Sequence, residues 1–220
     1  MKIVNLGAGN SVINNFMAQL RDVDYQGNRA LFRNNLERIG HVMAYELSRT
    51  LDTAVRRVQT PLGVKEMNVC DGRIVVGTVL RAGLAFHQGF LDVFDGADSA
   101  FVAAYREEGT REEMKIRLEY MASPDLTGST FLLVDPMLAT GGSLELAYRT
   151  FLRMGRPARL HICCVIAAEE GIAHLQQVFP DDDVTLWVAA IDPVLNEQAY
   201  IVPGLGDAGD LSFGPKISVR

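Results

Sequence analysis

The sequence predicts an α/β protein built on a doubly wound, mostly parallel sheet. Three short apolar runs carry this prediction, at residues 74–80, 131–134 and 159–167. Continuous apolar runs of this length are typical of strands that are buried on both faces. A segment with helical spacing follows each run, and in two cases a glycine-containing loop lies between them. Repeated strand–helix alternation favours a parallel sheet, in which ligands bind beyond the carboxyl ends of the strands.

The remaining elements follow from the same patterns. A short strand is expected near residues 2–6, followed by a helix over about 11–22 with its cap at Asn10 or Ser11. Apolar residues recur at helical spacing over 28–51, which predicts one long amphipathic helix. The arginines of this helix are interpreted as a solvated face with i,i+4 ion pairs. Further predicted segments are a hairpin within 55–69, strands at 99–105 and 184–191, and helices at 85–94, 144–154 and 169–179.

Composition narrows the class of protein. The chain has 220 residues, which fits a single α/β domain over residues 1–220. Its net charge of −6 argues against nucleic acid as the main partner. The start has no signal-peptide run and no apolar stretch could cross a bilayer, so a cytoplasmic location without membrane contact is expected. Cys163 and Cys164 are interpreted as buried side chains rather than metal ligands, because neighbours on a strand face opposite ways.

The most specific segment is 135–143, which reads Asp-Pro-Met-Leu-Ala-Thr-Gly-Gly-Ser between an apolar run and a helix. Its two glycines allow positive φ angles and let a ligand approach the backbone N–H groups. The first N–H groups of the following helix lack intrahelical partners and lie at its positive end. Thr140 and Ser143 add hydroxyl donors, so the segment is a candidate phosphate cradle. Asp135 is placed to accept hydrogen bonds from the hydroxyls of a ribose.

A simpler alternative stays open for residues 140–143 alone, namely a tight turn in which Ser143 caps the helix. The segment is not a Walker loop, because no lysine follows the glycines. It also lacks the Gly-x-Gly-x-x-Gly spacing of a dinucleotide site.

Three other segments have residue types that suit an anionic or planar ligand. Arg81 lies on a second strand–loop–helix turn, where its guanidinium could clamp a diphosphate, and the alternative is a surface ion pair. Arg106 opens a charged segment at 107–119, which could equally be an exposed hairpin. Glycines and a proline in 200–210 predict a long irregular loop, and such loops are usually functional or disordered. The acidic run at 181–183 is interpreted as a solvated turn rather than a metal site.

Together these segments resemble the uracil phosphoribosyltransferases, a family of type I phosphoribosyltransferases. Segment 135–143 resembles the family's loop for phosphoribosyl pyrophosphate (PRPP), 79–84 resembles its diphosphate loop, and 200–210 resembles its uracil loop. The three motifs occur in the family's order and the resemblance covers nearly the whole chain. It implies a type I phosphoribosyltransferase fold with a long N-terminal helix, a β-hairpin arm and a C-terminal base-binding loop.

The resemblance also implies roles for particular residues. Those implied to bind PRPP are Arg81, Arg106, Asp135, Pro136, Met137, Leu138, Ala139, Thr140, Gly141, Gly142, Ser143 and Asp207. Those implied to contact uracil are Ile201, Gly206, Asp207 and Ala208. Those implied to act in catalysis are Arg81, Arg106, Asp135 and Asp207. Mg²⁺ is the implied cofactor, held through the PRPP diphosphate, with Asp207 as a candidate ligand.

The implied reaction joins uracil and PRPP to give UMP and diphosphate, a step of pyrimidine salvage. The family also implies a homodimer or larger homo-oligomer, and GTP as a candidate activator, although no residue here argues for a GTP site. An alternative is an RNA-binding regulator of pyrimidine genes on the same fold. Such regulators tend to carry a second acid where this chain has Pro136, and no basic stripe is evident. A catalytically idle subunit is a third alternative, because the arm at 111–121 departs from the family's pattern.

Overall fold

In the computed structural model the chain is described at residues 1–106, 116–179 and 184–216, with the backbone alone at 104–106 and 116–119. The strands are β1 (Lys2–Asn5), β2 (Thr53–Thr60), β3 (Gly63–Cys70), β4 (Ile74–Leu80), β5 (Asp98–Arg106), β6 (Ile116–Ala122), β7 (Thr130–Val134), β8 (Met137–Leu138), β9 (Arg159–Ala168), β10 (Val184–Asp192), β11 (Val194–Leu195) and β12 (Ile201–Val202). The helices are α1 (Val12–Arg21), α2 (Val23–Gln26), α3 (Arg29–Ser48), α4 (Leu84–Leu91), α5 (Gly142–Phe151), α6 (Glu169–Val178) and α7 (Ala208–Phe213).

An eight-stranded sheet organises the fold. Seven strands lie in the order β1–β10–β9–β7–β4–β5–β6, and β8 pairs with β9 beyond the end of β7. All neighbours run parallel except β5 and β6, which are antiparallel. From β4 the chain moves to β5 and β6 on one side, then returns to β7 on the other side of β4. The predicted doubly wound, mostly parallel sheet is confirmed, and its topological switch point lies between β4 and β7.

Helices cover both faces of this sheet. Buried residues of α1, α3 and α4 form one core cluster with the first face, and those of α5 and α6 form a second cluster with the other face. Leu132 and Leu133 fall in different clusters, and so do Cys163 and Cys164, because successive side chains of a strand alternate between faces. Both cysteines are fully buried, and burial raises the pKa of both thiols well above the ordinary value. The interpretation of these cysteines as buried side chains is therefore confirmed.

Side-chain caps begin the N-terminal helices. The N–H of Ile13 donates to Ser11 Oγ at 3.3 Å, and the N–H of Ala30 donates to Asn28 Oδ1 at 3.1 Å. These caps confirm the predicted starts of α1 and α3, while α3 ends at Ser48, slightly earlier than expected. No pattern in the sequence predicts α2, because four residues are too few to show a period.

The arginines of α3 were expected to face solvent, but two of them contact other elements. Arg33 Nη1 donates to the carbonyl of Ser212 at 2.7 Å, and its guanidinium lies 5.9 Å from the centre of the Phe213 ring. Arg38 places its guanidinium 5.6 Å from the centre of the Phe16 ring. The interpretation as a solvated face is therefore wrong for Arg33, whereas Arg38 is exposed as expected. Arg33 instead connects the long helix to the C-terminal segment.

The segment 200–210 is more regular than its composition predicts. Strand β12 pairs antiparallel with β11, and α7 begins at Ala208. Asp207 caps this helix, because its Oδ1 accepts the N–H of Asp210 at 2.9 Å. The prediction of a wholly irregular loop is therefore wrong. The sequence gives no periodic signal for α7, because this helix has only six residues and begins at a capping side chain.

Two further predictions concern hairpins. Strands β2 and β3 form a separate two-stranded sheet, which confirms the predicted hairpin. The arm corresponds to β5 and β6, which pair antiparallel, while 107–115 lie outside the described residues. The acidic run at 181–183 also lies outside them.

Within the described residues, no helix combines the length and apolar character needed to cross a membrane.

Candidate active site

Two loops meet the carboxyl ends of β4 and β7, on either side of the switch point. Thr78 of β4 is paired with Val134 of β7, and the Thr78 hydroxyl donates to the carbonyl of Val134 at 2.9 Å. Arg81 therefore follows β4, and Asp135 follows β7, at the same edge of the sheet. Helices α4 and α5 leave this edge toward opposite faces, and open α/β sheets bind ligands in the crevice that such an arrangement leaves between the two loops.

The first part of the loop after β7 is fixed to the sheet. The N–H of Asp135 donates to the carbonyl of Cys163 at 3.0 Å, and Asp135 is 9% exposed. Beyond it, the carbonyl of Pro136 accepts N–H groups from β9, and Leu138 is fully buried in the core. The structure thus holds Asp135 firmly at the sheet edge.

The second part of this loop contains the candidate cradle. Gly141 has φ +87° and stands at the N-cap of α5, where no side chain caps the helix. The alternative in which Ser143 caps the helix is therefore wrong, because Ser143 is the second residue of α5 itself. Thr140, Gly142 and Ser143 are partly exposed, so the amino end of α5 presents backbone N–H groups and two hydroxyls at the mouth of the crevice.

His174 of α6 packs against Gly141 of the candidate cradle, and no motif in the sequence indicates this histidine. A Cβ at Gly141 would lie 2.7 Å from His174 Cδ2, so the glycine is needed for this close approach. His174 Nε2 lies 2.7 Å from Glu145 Oε2, and Arg149 Nε donates to Glu145 Oε1 at 2.8 Å. Burial alone would raise the pKa of Glu145, but the hydrogen bonds from Arg149 and His174 together lower it.

Arg81 reaches from the β4 loop to the C-terminal helix. Its Nη2 donates to Asp210 Oδ1 at 2.6 Å and to the carbonyl of Gly214 at 2.8 Å. A Cβ at Gly209 would lie 3.8 Å from Arg81 Nε, so the start of α7 is packed beside the arginine. The candidate diphosphate loop and the candidate base loop therefore meet at Arg81. Arg106 is the last residue of β5, and its side chain is not among the described parts.

A second ion pair, which the sequence does not reveal, holds the segment before α7. Arg21 Nη1 and Nη2 donate to the two oxygens of Asp192, each at 2.7 Å, and the N–H of Gly204 donates to Asp192 Oδ2 at 2.8 Å. Burial by itself would raise the pKa of Asp192. The hydrogen bonds from Arg21 and Gly204, with the charge of Arg21, lower it overall. Asp192 ends β10 as an acid after an apolar strand, which is the same signal that marks Asp135.

The residues implied to contact uracil lie along this anchored segment. Ile201 and Ala208 are buried in the first core cluster, and Gly206 has φ +88°. Gln26 of α2 donates to the carbonyl of Leu205 at 3.3 Å. Core residues of the loop after β7 belong to the same cluster. Because Arg81 contacts Asp210 and Gly214, the C-terminal segment lies beside the loop after β4.

A cavity of about 310 Å³ lies elsewhere, and none of the predicted site residues lines it. Its lining residues are Asn5, Gly7, Asn14, Met17, Ala18, Arg21, Ala189 and Ala190. Arg21, one of these lining residues, also donates to Asp192 and to the carbonyl of Gly204. We place the candidate site at the switch point, because the loops that contain Arg81 and Asp135 both begin there.

The carboxylates at the candidate site suit a metal ion that is bound mainly by the phosphates of a substrate. Among the described residues, the cluster that could supply three metal ligands is Glu37, His41 and Asp92, on α3 and at the end of α4. The candidate site offers the carboxylates of Asp135 and Asp207 instead. Mg²⁺ in phosphate-transferring sites is commonly held by one or two carboxylates together with substrate phosphates. The residues present therefore fit that mode of binding.

At the switch point of this sheet, one loop of small residues begins with an acid and a second loop contains an arginine. These two loops on this fold define the type I phosphoribosyltransferase class. The family model described as uracil phosphoribosyltransferase matches residues 8–215. The chain is 49% identical to a Porphyromonas gingivalis uracil phosphoribosyltransferase, covering 99% of this chain and all of the relative. It is 37% identical to a Pyrococcus furiosus uracil phosphoribosyltransferase, covering 92% and 86%. The solved AQ2163 protein of Aquifex aeolicus superposes with a TM-score of 0.87 at 32% identity, covering 98% of this chain and all of that one. The chain belongs to the uracil phosphoribosyltransferase family.

Proposed function

We propose that this protein transfers the 5-phosphoribosyl group of PRPP to uracil, giving UMP and diphosphate. The proposal is carried by one observation in a chain of this family: the loops after β4 and β7 begin at one edge of the sheet, and Arg81 of the first loop contacts the C-terminal segment. The cradle at Gly141 and Gly142 suits the 5′-phosphate, Asp135 suits the ribose hydroxyls, and Arg81 suits the diphosphate.

The proposed reaction requires the protein to position the substrates and to stabilise developing charges, and it requires no covalent nucleophile. As the bond between ribose C1 and the diphosphate oxygen breaks, positive charge develops on the sugar and negative charge on the diphosphate. Arg81 and Arg106 would stabilise the leaving diphosphate, and the cradle would hold the phosphate end still. The carboxylate of Asp135 would hold the ribose and stabilise the positive charge on it. Removing one well-placed donor from such a site costs about 2.7–4 kcal/mol of barrier.

Mg²⁺ is the proposed cofactor, bound chiefly through the diphosphate with Asp207 as a protein ligand. When bound, it would neutralise charge on the leaving group. Asp207 Oδ1 already accepts the N–H of Asp210, which orients the carboxylate at the start of α7. A carboxylate has further lone pairs for a metal, so capping and metal binding are compatible.

The base segment is proposed to select uracil through its backbone. Uracil presents alternating donors and acceptors on one edge, and N–H and C=O groups around Ile201, Gly206 and Ala208 can pair with them. Cytosine replaces one carbonyl with an amino group and would leave a backbone group unpaired. A site built in this way discriminates strongly against the base that lacks the match.

The test is a turnover assay with labelled uracil, PRPP and Mg²⁺ that follows UMP, with cytosine and orotate as competing bases. We expect UMP from uracil and little product from the other two. Equal use of cytosine would contradict the proposed base pairing. PRPP binding without any turnover would favour the idle-subunit alternative. Absence of both turnover and PRPP binding would contradict the proposed role of the 135–143 loop.

Several further properties are proposed from the family alone. Residues 1–220 are proposed to act as one domain, which the family match over 8–215 supports. We also propose a homo-oligomer, a cytoplasmic location suited to UMP salvage, and GTP as a candidate activator. Sedimentation of the purified protein and UMP assays with and without GTP test the first and the last of these three.

A further inference from the structure

The contact between Arg81 and α7 joins the two substrate loops of the proposed enzyme. Arg81 follows β4 in the diphosphate loop, whereas Asp210 lies in the first turn of α7, just after the residues proposed to contact uracil. The bond between Arg81 Nη2 and Asp210 Oδ1 is 2.6 Å long. The carbonyl of Gly214, directly after α7, accepts from the same nitrogen at 2.8 Å. One guanidinium nitrogen is therefore shared between a carboxylate and a backbone carbonyl of the base segment.

The way in which Arg81 is held decides which donors remain for a ligand. A guanidinium carries five N–H donors in a rigid plane. The two donors of Nη2 are engaged by Asp210 and Gly214, while Nε and Nη1 make no hydrogen bond to any described residue. The side chain of Arg81 is 35% exposed and that of Asp210 is 37% exposed, so both lie at the open side of the site. The contact therefore orients the guanidinium and leaves three N–H groups for diphosphate oxygens.

Asp210 is itself held by α7 and by its cap. Its N–H donates to Asp207 Oδ1 at 2.9 Å, and the N–H of Gly214 donates to its carbonyl at 2.8 Å. Arg33 binds the carbonyl of Ser212 near the end of the same helix. The carboxylate of Asp210 is thus supported by a helix that is anchored at both ends. Such support is what a residue needs in order to hold a flexible arginine in one orientation.

We propose that Asp210 is a positioning residue for PRPP, acting through Arg81. It holds the guanidinium in place and so links the diphosphate loop to the base segment. The inference rests on the proposed function, because it takes Arg81 as the group that meets the diphosphate. It assigns no direct contact between Asp210 and either substrate.

The test compares Asp210→Ala with Asp210→Asn, which keeps an oxygen that can accept from Arg81. We expect Asp210→Ala to raise the KM for PRPP about tenfold, the range of a lost hydrogen bond to a charged group. Asp210→Asn should stay within about threefold of the wild type for the same reason. Asp95→Asn is the matched control, because Asp95 is exposed and precedes the amino end of β5. If both Asp210 variants instead lowered the KM, the carboxylate would act by repelling the diphosphate, and the proposal would be wrong.

A double-mutant cycle asks whether the effect passes through Arg81. In an Arg81→Ala background, Asp210→Ala should change the KM for PRPP by less than about twofold, because the residue it positions is gone. If the two substitutions instead multiplied each other's effect on the KM for PRPP, Asp210 would act independently of Arg81 and the proposal would be wrong. PRPP binding by calorimetry repeats the comparison without turnover. Failure of the proposed function would appear as a wild type that makes no UMP, whereas failure of this inference would leave wild-type turnover intact.

Discussion

Gly141 is the residue on which the shape of the cradle depends most directly. Its φ of +87° disfavours any residue with a Cβ, and that Cβ would lie 2.7 Å from His174 Cδ2. We expect Gly141→Ala to lower the free energy of unfolding by about 1–2 kcal/mol from the left-handed backbone alone. It should also raise the KM for PRPP, because His174 must move. Urea denaturation and steady-state kinetics measure the two effects.

Gly128 provides a matched control for this substitution. It has φ +71°, and a Cβ there would meet no atom within 4 Å. Gly128→Ala should therefore cost a similar amount of stability while leaving the KM for PRPP unchanged. An equal loss of PRPP affinity in both variants would mean that general destabilisation, and not the cradle, explains the result.

Asp135 allows the electrostatic part of the mechanism to be tested. Asp135→Asn preserves the size of the side chain and removes its negative charge. We expect kcat to fall by roughly 10- to 100-fold, the range of hydrogen bonds and contacts that involve a charged group. Steady-state kinetics with saturating PRPP measure kcat, and calorimetry measures PRPP binding separately. Full turnover in this variant would show that the charge of Asp135 does not stabilise the transition state.

At the scale of elements, the pairing of β9 with β10 buries a titratable group. His161 of β9 is 2% exposed, and Trp187 Nε1 of β10 donates to its Nδ1 at 3.1 Å. Burial lowers the pKa of His161 to about 4, and the positive charge of Arg159 adds to the effect. Protonation would also place an N–H opposite the N–H of Trp187. The strand pair is therefore most stable with a neutral histidine.

This burial predicts how stability depends on pH. In the unfolded chain a histidine titrates near pH 6.5. Between about pH 6.5 and 4, the unfolded state binds more protons than the folded state, so stability falls as the pH falls through that window. The loss should reach roughly 3 kcal/mol. Urea denaturation at several pH values measures it, and His161→Gln should flatten the curve. An unchanged slope in this variant would assign the pH dependence to other groups.

For the whole molecule, substrate binding and folding are linked. The proposed PRPP site draws on β4, β7, α5 and the C-terminal segment, so unfolding destroys it. A ligand that binds only the folded state at 100 times its Kd adds about 2.7 kcal/mol of stability. For a chain of this size that corresponds to a rise in Tm of roughly 5–10 °C. Differential scanning fluorimetry with PRPP and Mg²⁺ measures the shift.

Ribose 5-phosphate separates the parts of this effect. It offers the groups proposed to meet the cradle and Asp135, but it lacks the diphosphate proposed to meet Arg81. A smaller rise in Tm than with PRPP is expected at equal concentration. An equal rise with both ligands would contradict the role of Arg81, and no rise with saturating PRPP would contradict the site as a whole.

The sequence by itself determined the parallel strands at the centre of the sheet, the main helices that cover it and the loops at its switch point. Residues 74–80 and 131–134 are apolar without interruption because both faces of a parallel strand are buried, and that signal is local. The loop at 135–143 was likewise predictable, because its small residues and its acid are contiguous. Asp192 could have been found in the same way, as an acid that ends an apolar strand.

Only the tertiary structure decided which distant groups support those loops. Arg81 pairs with Asp210, Arg21 with Asp192 and His174 with Glu145, and each pair joins different elements. Helix α7 also escaped the sequence patterns, because a capped helix of six residues is stabilised by contacts from Arg33 and Arg81 rather than by its own period. Periodicity and motifs record what neighbouring residues require, whereas a contact across the fold exists only once the elements have packed.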